Sequence, residues 1–122
     1  LVNGKKVATG VPGTYKAIDR RWREGDRITM ELPLKPRVTQ YTGLDQHPEY
    51  DRYALSLGPV LMALVGARDL DLNAHDLAGA LVPVPNKPLW FTVKGSPDYH
   101  FQAYWTLGGE RMTCFPVFKR VN

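Results

Sequence analysis

Few residues in this chain have a type and spacing that could do chemistry. His47, His75 and His100 are scattered, and Cys114 is the only cysteine. No zinc-like His/Cys spacing, Gly-x-Ser-x-Gly elbow or phosphate-cradling glycine loop occurs. Glycosidase chemistry needs two carboxylates held across a scissile bond. Among 12 acidic residues some such pair is geometrically inevitable, so its presence alone signifies nothing. Glu24 and Asp26 flank a turn glycine and shape that turn. Glu31 falls on a solvated strand face, and no carboxylate sits in an apolar run that would raise its pKa. The reading is no catalytic residue and no metal ligand. Cys114, beside Phe115 in an apolar stretch, reads as a buried thiol.

The remaining functional hardware is aromatic, since ring faces stack on the apolar faces of sugars. Trp90, Tyr99 and Tyr104 are the carbohydrate-binding candidates. Tyr104 points away from the Phe101, Ala103, Trp105, Leu107 row, whereas Trp90 takes no definite face. Trp105 and Trp22 read as core-facing, Trp105 in register with Phe101 and Trp22 with Ile18. Arg20 packs over Trp22 as a cation–π pair in this reading.

The elements that must position these residues are strands. Asn3-Gly4 predicts a tight hairpin turn, and because only Leu1 and Val2 precede it, the chain reads as a segment of a longer protein that begins inside a hairpin. Strands are expected at Lys5 to Thr9, Thr14 to Trp22 and Arg27 to Leu32. In the last, Ile28, Met30 and Leu32 alternate with Arg27, Thr29 and Glu31, the mark of one face on a core and one in water. Arg37 to Tyr41, Tyr50 to Leu57 and the apolar run Val60 to Val65 follow. Asp71 or Asn73 is placed to cap a short helix through Ala74, Leu77, Ala78 and Leu81. Leu89 to Lys94, Tyr99 to Leu107 and Arg111 to Val121 are the last strands, with Gly108-Gly109 turning between the final two. Three prolines keep Val82 to Pro88 out of any central strand. Eight or nine short antiparallel strands with at most one short helix predict an all-β sandwich. One domain over residues 1–122 is expected, with a weak seam at 66–86.

Bulk properties agree with a folded domain. The chain of 122 residues is 43% hydrophobic, and ten prolines with eleven glycines suit many turns. Its formal charge of +4 comes from interspersed residues, not the one-sided stripe of a nucleic-acid binder. No apolar run approaches the ~18 residues of a membrane span. One cysteine allows no internal disulfide, and no compartment can be read from it.

The stretches VNGKKV, GTYKAIDRRWREGDRITMELPL and YALSLGPVLMAL resemble the β-rich region that follows the catalytic barrel in glycoside hydrolase family 127, the β-L-arabinofuranosidase-like proteins. Asn3-Gly4, Tyr15, Ile18, Arg20, Trp22, Gly25-Asp26, Leu32-Pro33, Ala54-Leu55 and Gly58-Pro59 take the family's positions in order. The resemblance is closest over residues 1–64. It implies a jelly-roll-like accessory domain that packs on an upstream catalytic barrel in the same polypeptide, with homodimer formation a further expectation. It also implies that the family's zinc-linked cysteine and glutamate chemistry belongs to that barrel, leaving no cofactor in this segment. An autonomous carbohydrate-binding module is the alternative.

Overall fold

A computed structural model describes residues 1–118. The chain divides into two compact units, Leu1–Pro33 and Leu34–Asn122. The stretch 66–86 lies inside the second unit.

The first unit is organised by turns. Asn3 (φ 50°) and Gly4 (φ 77°) form the expected two-residue turn, which the Val2 and Lys5 backbones close with two hydrogen bonds of 2.8 and 3.0 Å. Asn3 also ties this turn to a second one. Its Nδ2 donates to Asp26 Oδ1 at 2.8 Å, and its Oδ1 accepts from the Arg27 amide at 2.9 Å. Asp26 Oδ2 accepts from the Arg23 amide and pairs with Arg20, whose guanidinium lies over the Trp22 ring at 5.0 Å as anticipated. The Asn3 amide bond holds the Asp26 carboxyl below its ordinary value, helped by the Arg23 amide and the Arg20 charge.

The strands expected at Lys5 to Thr9, Thr14 to Trp22 and Arg27 to Leu32 do not form; Val2 makes isolated bridges to Lys5 and Ile28, and that is all the β pairing described here. A strand exists only against a neighbouring backbone, and this unit presents none to most of those residues. Val2 alone is buried, while Ile28, Met30 and Leu32 are 64%, 78% and 56% exposed. The alternation encodes a face, but nothing in this unit covers it.

The second unit is all-β with one short helix, as the sequence predicts. Its strands are β1 (Pro36–Gln40), β2 (Asp51–Leu57), β3 (Val60–Val65), β4 (Asp69–Leu70), β5 (Leu81–Pro83), β6 (Trp90–Val93), β7 (Ser96–Ala103), β8 (Met112–Thr113) and β9 (Val117–Phe118), with helix α1 at Ala74–Ala80. They join one sheet in the order β4-β9-β2-β3-β7-β6-β5, with β1 added on β2 and β8 on β3. On the side away from β1, β2 serves two neighbours. Leu55–Leu57 pair with β3, while Asp51 and Arg52 pair with β9. The pairing of β4 with β9 is parallel, a departure from the all-antiparallel expectation. Pro36 opens β1, which flanks the main strand path, and Pro83 ends β5 at the path's end, so neither interrupts a central strand.

Leu55, Leu57, Met62, Leu64, Phe101 and Phe118 form the heart of the core. Fully burying side chains of this size contributes roughly 1.5–3 kcal/mol each. α1 follows Asn73 at its N-cap position, where the side chain makes no capping hydrogen bond, and buries Ala74 and Leu77 on that core; at seven residues it depends on this burial, not on intrinsic helicity. β7 is shorter than the expected Tyr99 to Leu107. It ends at Ala103, and Tyr104–Thr106 turn into a 3-10 helix. β8 then pairs with β3, so Gly108-Gly109 does not join two neighbouring strands. The end of the expected Arg111 to Val121 strand lies outside the described residues. No helix among the described residues is long and apolar enough to cross a membrane.

Candidate functional site

Successive residues of β7 face opposite sides, which separates the three aromatic candidates. Tyr99 shares the Phe101 side and packs against the core cluster. Trp90 stands opposite Gln102 in the β6–β7 register and so takes the other side, with His100. Tyr104 lies past the strand in the 3-10 turn, where it meets Trp105. Tyr99 and Trp90 therefore occupy opposite faces and build no common platform.

Around Trp90 the packing is specific. The His100 ring stacks on the indole at 4.1 Å and 7°, and Lys87 Nζ sits over the same ring at 4.2 Å. Two groups this close to one centroid crowd each other unless they take opposite faces. The turn entering β6 holds Asn86 and Leu89 at φ 61° and 59°, a region a bulky side chain rarely adopts. His100 in turn joins a chain of hydrogen bonds. Thr106 Oγ1 donates to the Ala103 carbonyl at 2.7 Å, so it can only accept from Gln102 Nε2 at 2.9 Å. That fixes Gln102 Oε1 toward His100 Nε2 at 2.7 Å, and in this network Nε2 is assigned as the donor. The relay ends with the Thr106 hydroxyl donating to a backbone carbonyl, and it holds the His100 ring in place against Trp90.

Tyr104 and Trp105 are the exposed aromatic pair of this unit, at 50% and 56%, meeting edge to face at 5.5 Å and 87°. The inward placement of Trp105 is corrected here. The Thr106 hydroxyl reaches back three residues to Ala103, breaks the two-residue alternation and swings Trp105 outward. That local hydroxyl, ahead of Leu107-Gly108-Gly109, is the sequence signal that marks the pair. Trp22, also expected inward, is 45% exposed because its unit has almost no core.

A second polar cluster pins the loop before β2. Tyr41 Oη donates to Asp45 Oδ1 at 2.5 Å, and Arg52 bonds the Asp45 carbonyl at 2.6 Å while lying over the Tyr41 ring at 4.5 Å. The shared bond pushes the phenol up and the carboxyl down from their ordinary values. Both groups are committed to folding the loop. Glu49, Tyr50, Asp69 and Asp71 line a groove beside β4 and β9, where Asp69 is paired with Arg68 at 3.0 Å.

The residues present do not suit zinc. His47 stacks on Tyr50, His75 lies on the exposed side of α1, and His100 is engaged by Trp90 and Gln102. Partial burial pushes the Cys114 thiol up, away from the thiolate that a metal needs. Among the described residues no group of three His, Cys, Asp or Glu side chains gathers to hold an ion.

Against known families, residues 1–34 match the model described as Beta-L-arabinofuranosidase, GH127 middle domain. The matched stretch ends one residue past the first compact unit, and it is described as a middle domain, where the resemblance over residues 1–64 implied a region after the barrel. No curated protein and no solved structure matches the chain.

Proposed function

We propose that this chain is a non-catalytic accessory β domain of a glycoside hydrolase related to the family 127 β-L-arabinofuranosidases, packing against that enzyme's catalytic domain. One observation carries the reading. The stretch that matches the family is the compact unit whose apolar side chains are left in water: Val11, Tyr15, Ile28, Met30 and Leu32 are all exposed, and Val2 alone is buried. A unit this small with one buried side chain falls below what a hydrophobic core can hold together, so a covering surface is expected. Substrate and any zinc belong, in this reading, to the catalytic domain.

The test mixes the purified chain with a separately produced family 127 catalytic domain and follows association by sedimentation, with an aryl β-L-arabinofuranoside as substrate. A stable complex, with no turnover by the chain alone, supports the accessory role. Absence of a complex overturns the packing, and turnover by the chain alone overturns its non-catalytic character.

The exposed Tyr104–Trp105 pair favours a second reading, contact with carbohydrate. Its test is tryptophan fluorescence on titration with arabinose-containing oligosaccharides, using Trp105→Ala as the control. A saturable change lost in the variant supports sugar contact; no change at millimolar sugar removes it.

A further inference from the structure

Of the four asparagines in the chain, Asn3 alone precedes a glycine. The pair forms a tight turn with both residues at positive φ, 50° and 77°. Among the described residues the Gly4 amide donates no hydrogen bond, and open space lies where a Cβ on Gly4 would stand. The Asn3 carboxamide, by contrast, is engaged at both ends. Its Nδ2 donates to Asp26 Oδ1 at 2.8 Å, and its Oδ1 accepts from the Arg27 amide at 2.9 Å. Asparagine is among the chemically labile side chains, and a following glycine removes the side chain that would shield its own nitrogen. An unshielded amide nitrogen next to a carboxamide carbon holds the parts of an intramolecular ring closure.

We propose that Asn3 is a one-way modification site: it loses ammonia through the Gly4 nitrogen, at a rate set by its two bonds to the Asp26 turn. The Gly4 nitrogen gives its proton to solvent hydroxide and bonds to Asn3 Cγ. The Cγ–Nδ2 bond breaks, and ammonia leaves with a proton taken from water. Water then opens the cyclic imide. Attack at Cγ yields aspartate, and attack at the backbone carbonyl yields isoaspartate, whose main chain runs through Cβ and Cγ. In sum one water is consumed and one ammonia released, with no oxidant or reductant. Ring closure turns the carboxamide away from Asp26 and toward Gly4, so both bonds open first. They do not re-form as they were. A carboxylate at position 3 has no N–H for Asp26 Oδ1 and sets a like charge beside it. Isoaspartate also lengthens the backbone between Val2 and Lys5, whose two hydrogen bonds close the turn, and Val2 is the buried apolar side chain of this unit. Conversion therefore loosens the unit that matches the family model. The chemistry needs only the turn, so it stands or falls apart from any packing on a hydrolase.

The chain is incubated in mildly alkaline buffer, folded and in urea. The peptide holding position 3 is followed by mass spectrometry, with fragmentation that tells aspartate from isoaspartate. Both products form, and the folded chain converts about tenfold more slowly than the chain in urea. Asp26→Ala removes the acceptor and brings the folded chain to within about threefold of the urea rate. Asp26→Asn keeps an oxygen for Asn3 Nδ2 and converts more slowly than Asp26→Ala. Asn3→Asp supplies the converted state, in which the Asp26 carboxyl titrates at a higher pH than in the parent, having lost the bond that lowers it most. No product at position 3 in urea overturns the site. Equal rates folded and in urea overturn the lock, a comparison that needs no variant, and so does equal acceleration by Asp26→Ala and Asp26→Asn. An unchanged Asp26 midpoint in Asn3→Asp overturns the broken tie.

Discussion

Gly66 closes β3 at φ +94°, and a Cβ built there would stand 2.9 Å from the Asp98 carbonyl oxygen and 3.4 Å from Tyr99 Cα and Cβ. Gly95, at φ +80°, has open space around its Cβ direction. Alanine at either place meets a backbone penalty of the same kind, about 1–2 kcal/mol. Only at Gly66 does the methyl group also run into backbone. The obstructing oxygen belongs to β7, which is laddered to β3 through Val65↔His100 and Leu64↔Phe101, so it cannot yield by rotating a side chain. Overpacking of this kind costs about 1–3 kcal/mol. Gly66→Ala should therefore lose about 2–5 kcal/mol, against about 1–2 kcal/mol for Gly95→Ala. Urea unfolding followed by tryptophan fluorescence reads both, provided the slope with denaturant is unchanged. If the two variants agree within about 0.5 kcal/mol, the close approach of β3 to Tyr99 does not constrain the fold, and this account of how Tyr99 is positioned is wrong.

Two further predictions concern placements that the structure fixes. Asp26 should titrate below its ordinary 3.8, and Asn3→Ala should move it back up, because the Asn3 amide is the largest influence lowering it. A depressed carboxyl contributes stability above its unfolded value and loses it as pH falls through the folded one, so the tie between the Asn3 and Asp26 turns loosens only below pH 3.8. Chemical shifts of the Arg23 and Arg27 amides follow this, and a midpoint at or above 3.8 refutes it. In the second unit, Phe101→Ala should cost about 3–5 kcal/mol, as a buried aromatic does. Trp105→Ala should cost less than about 1 kcal/mol, as an exposed one does. Thermal unfolding of the pair distinguishes this ordering from the one that simple alternation in the Phe101–Leu107 stretch predicts, in which both are core.

The second unit is legible because its signals are local and mutually consistent. The apolar run Val60–Val65 is a strand buried at Met62, Ala63 and Leu64, and Asn73 does open a helix whose Ala74 and Leu77 face the core. What could not be read there is long-range pairing. Nothing in the one-dimensional pattern places β8 on β3 or β9 beside both β2 and β4, since those choices depend on strands far apart in sequence. The Trp90–His100 stack is hidden for the same reason. It depends on the β6–β7 register, which shifts between Thr92 and Val93. Trp105 escaped because one hydroxyl, that of Thr106, outweighs an otherwise regular alternation.

The first unit is a different case. The alternation of Arg27–Leu32 is the cleanest in the chain, the Asn3-Gly4 turn forms as expected, and the Asn3–Asp26 bonds are satisfied. Every local signal agrees, and yet the apolar face lies in water. Local propensity, turn chemistry and polar satisfaction all support a strand here, but a strand also needs a neighbouring backbone, and the expected one does not form. The alternation of Arg27–Leu32 is thus a local signal, and the strand it encodes depends on a neighbouring backbone that the pattern itself does not name.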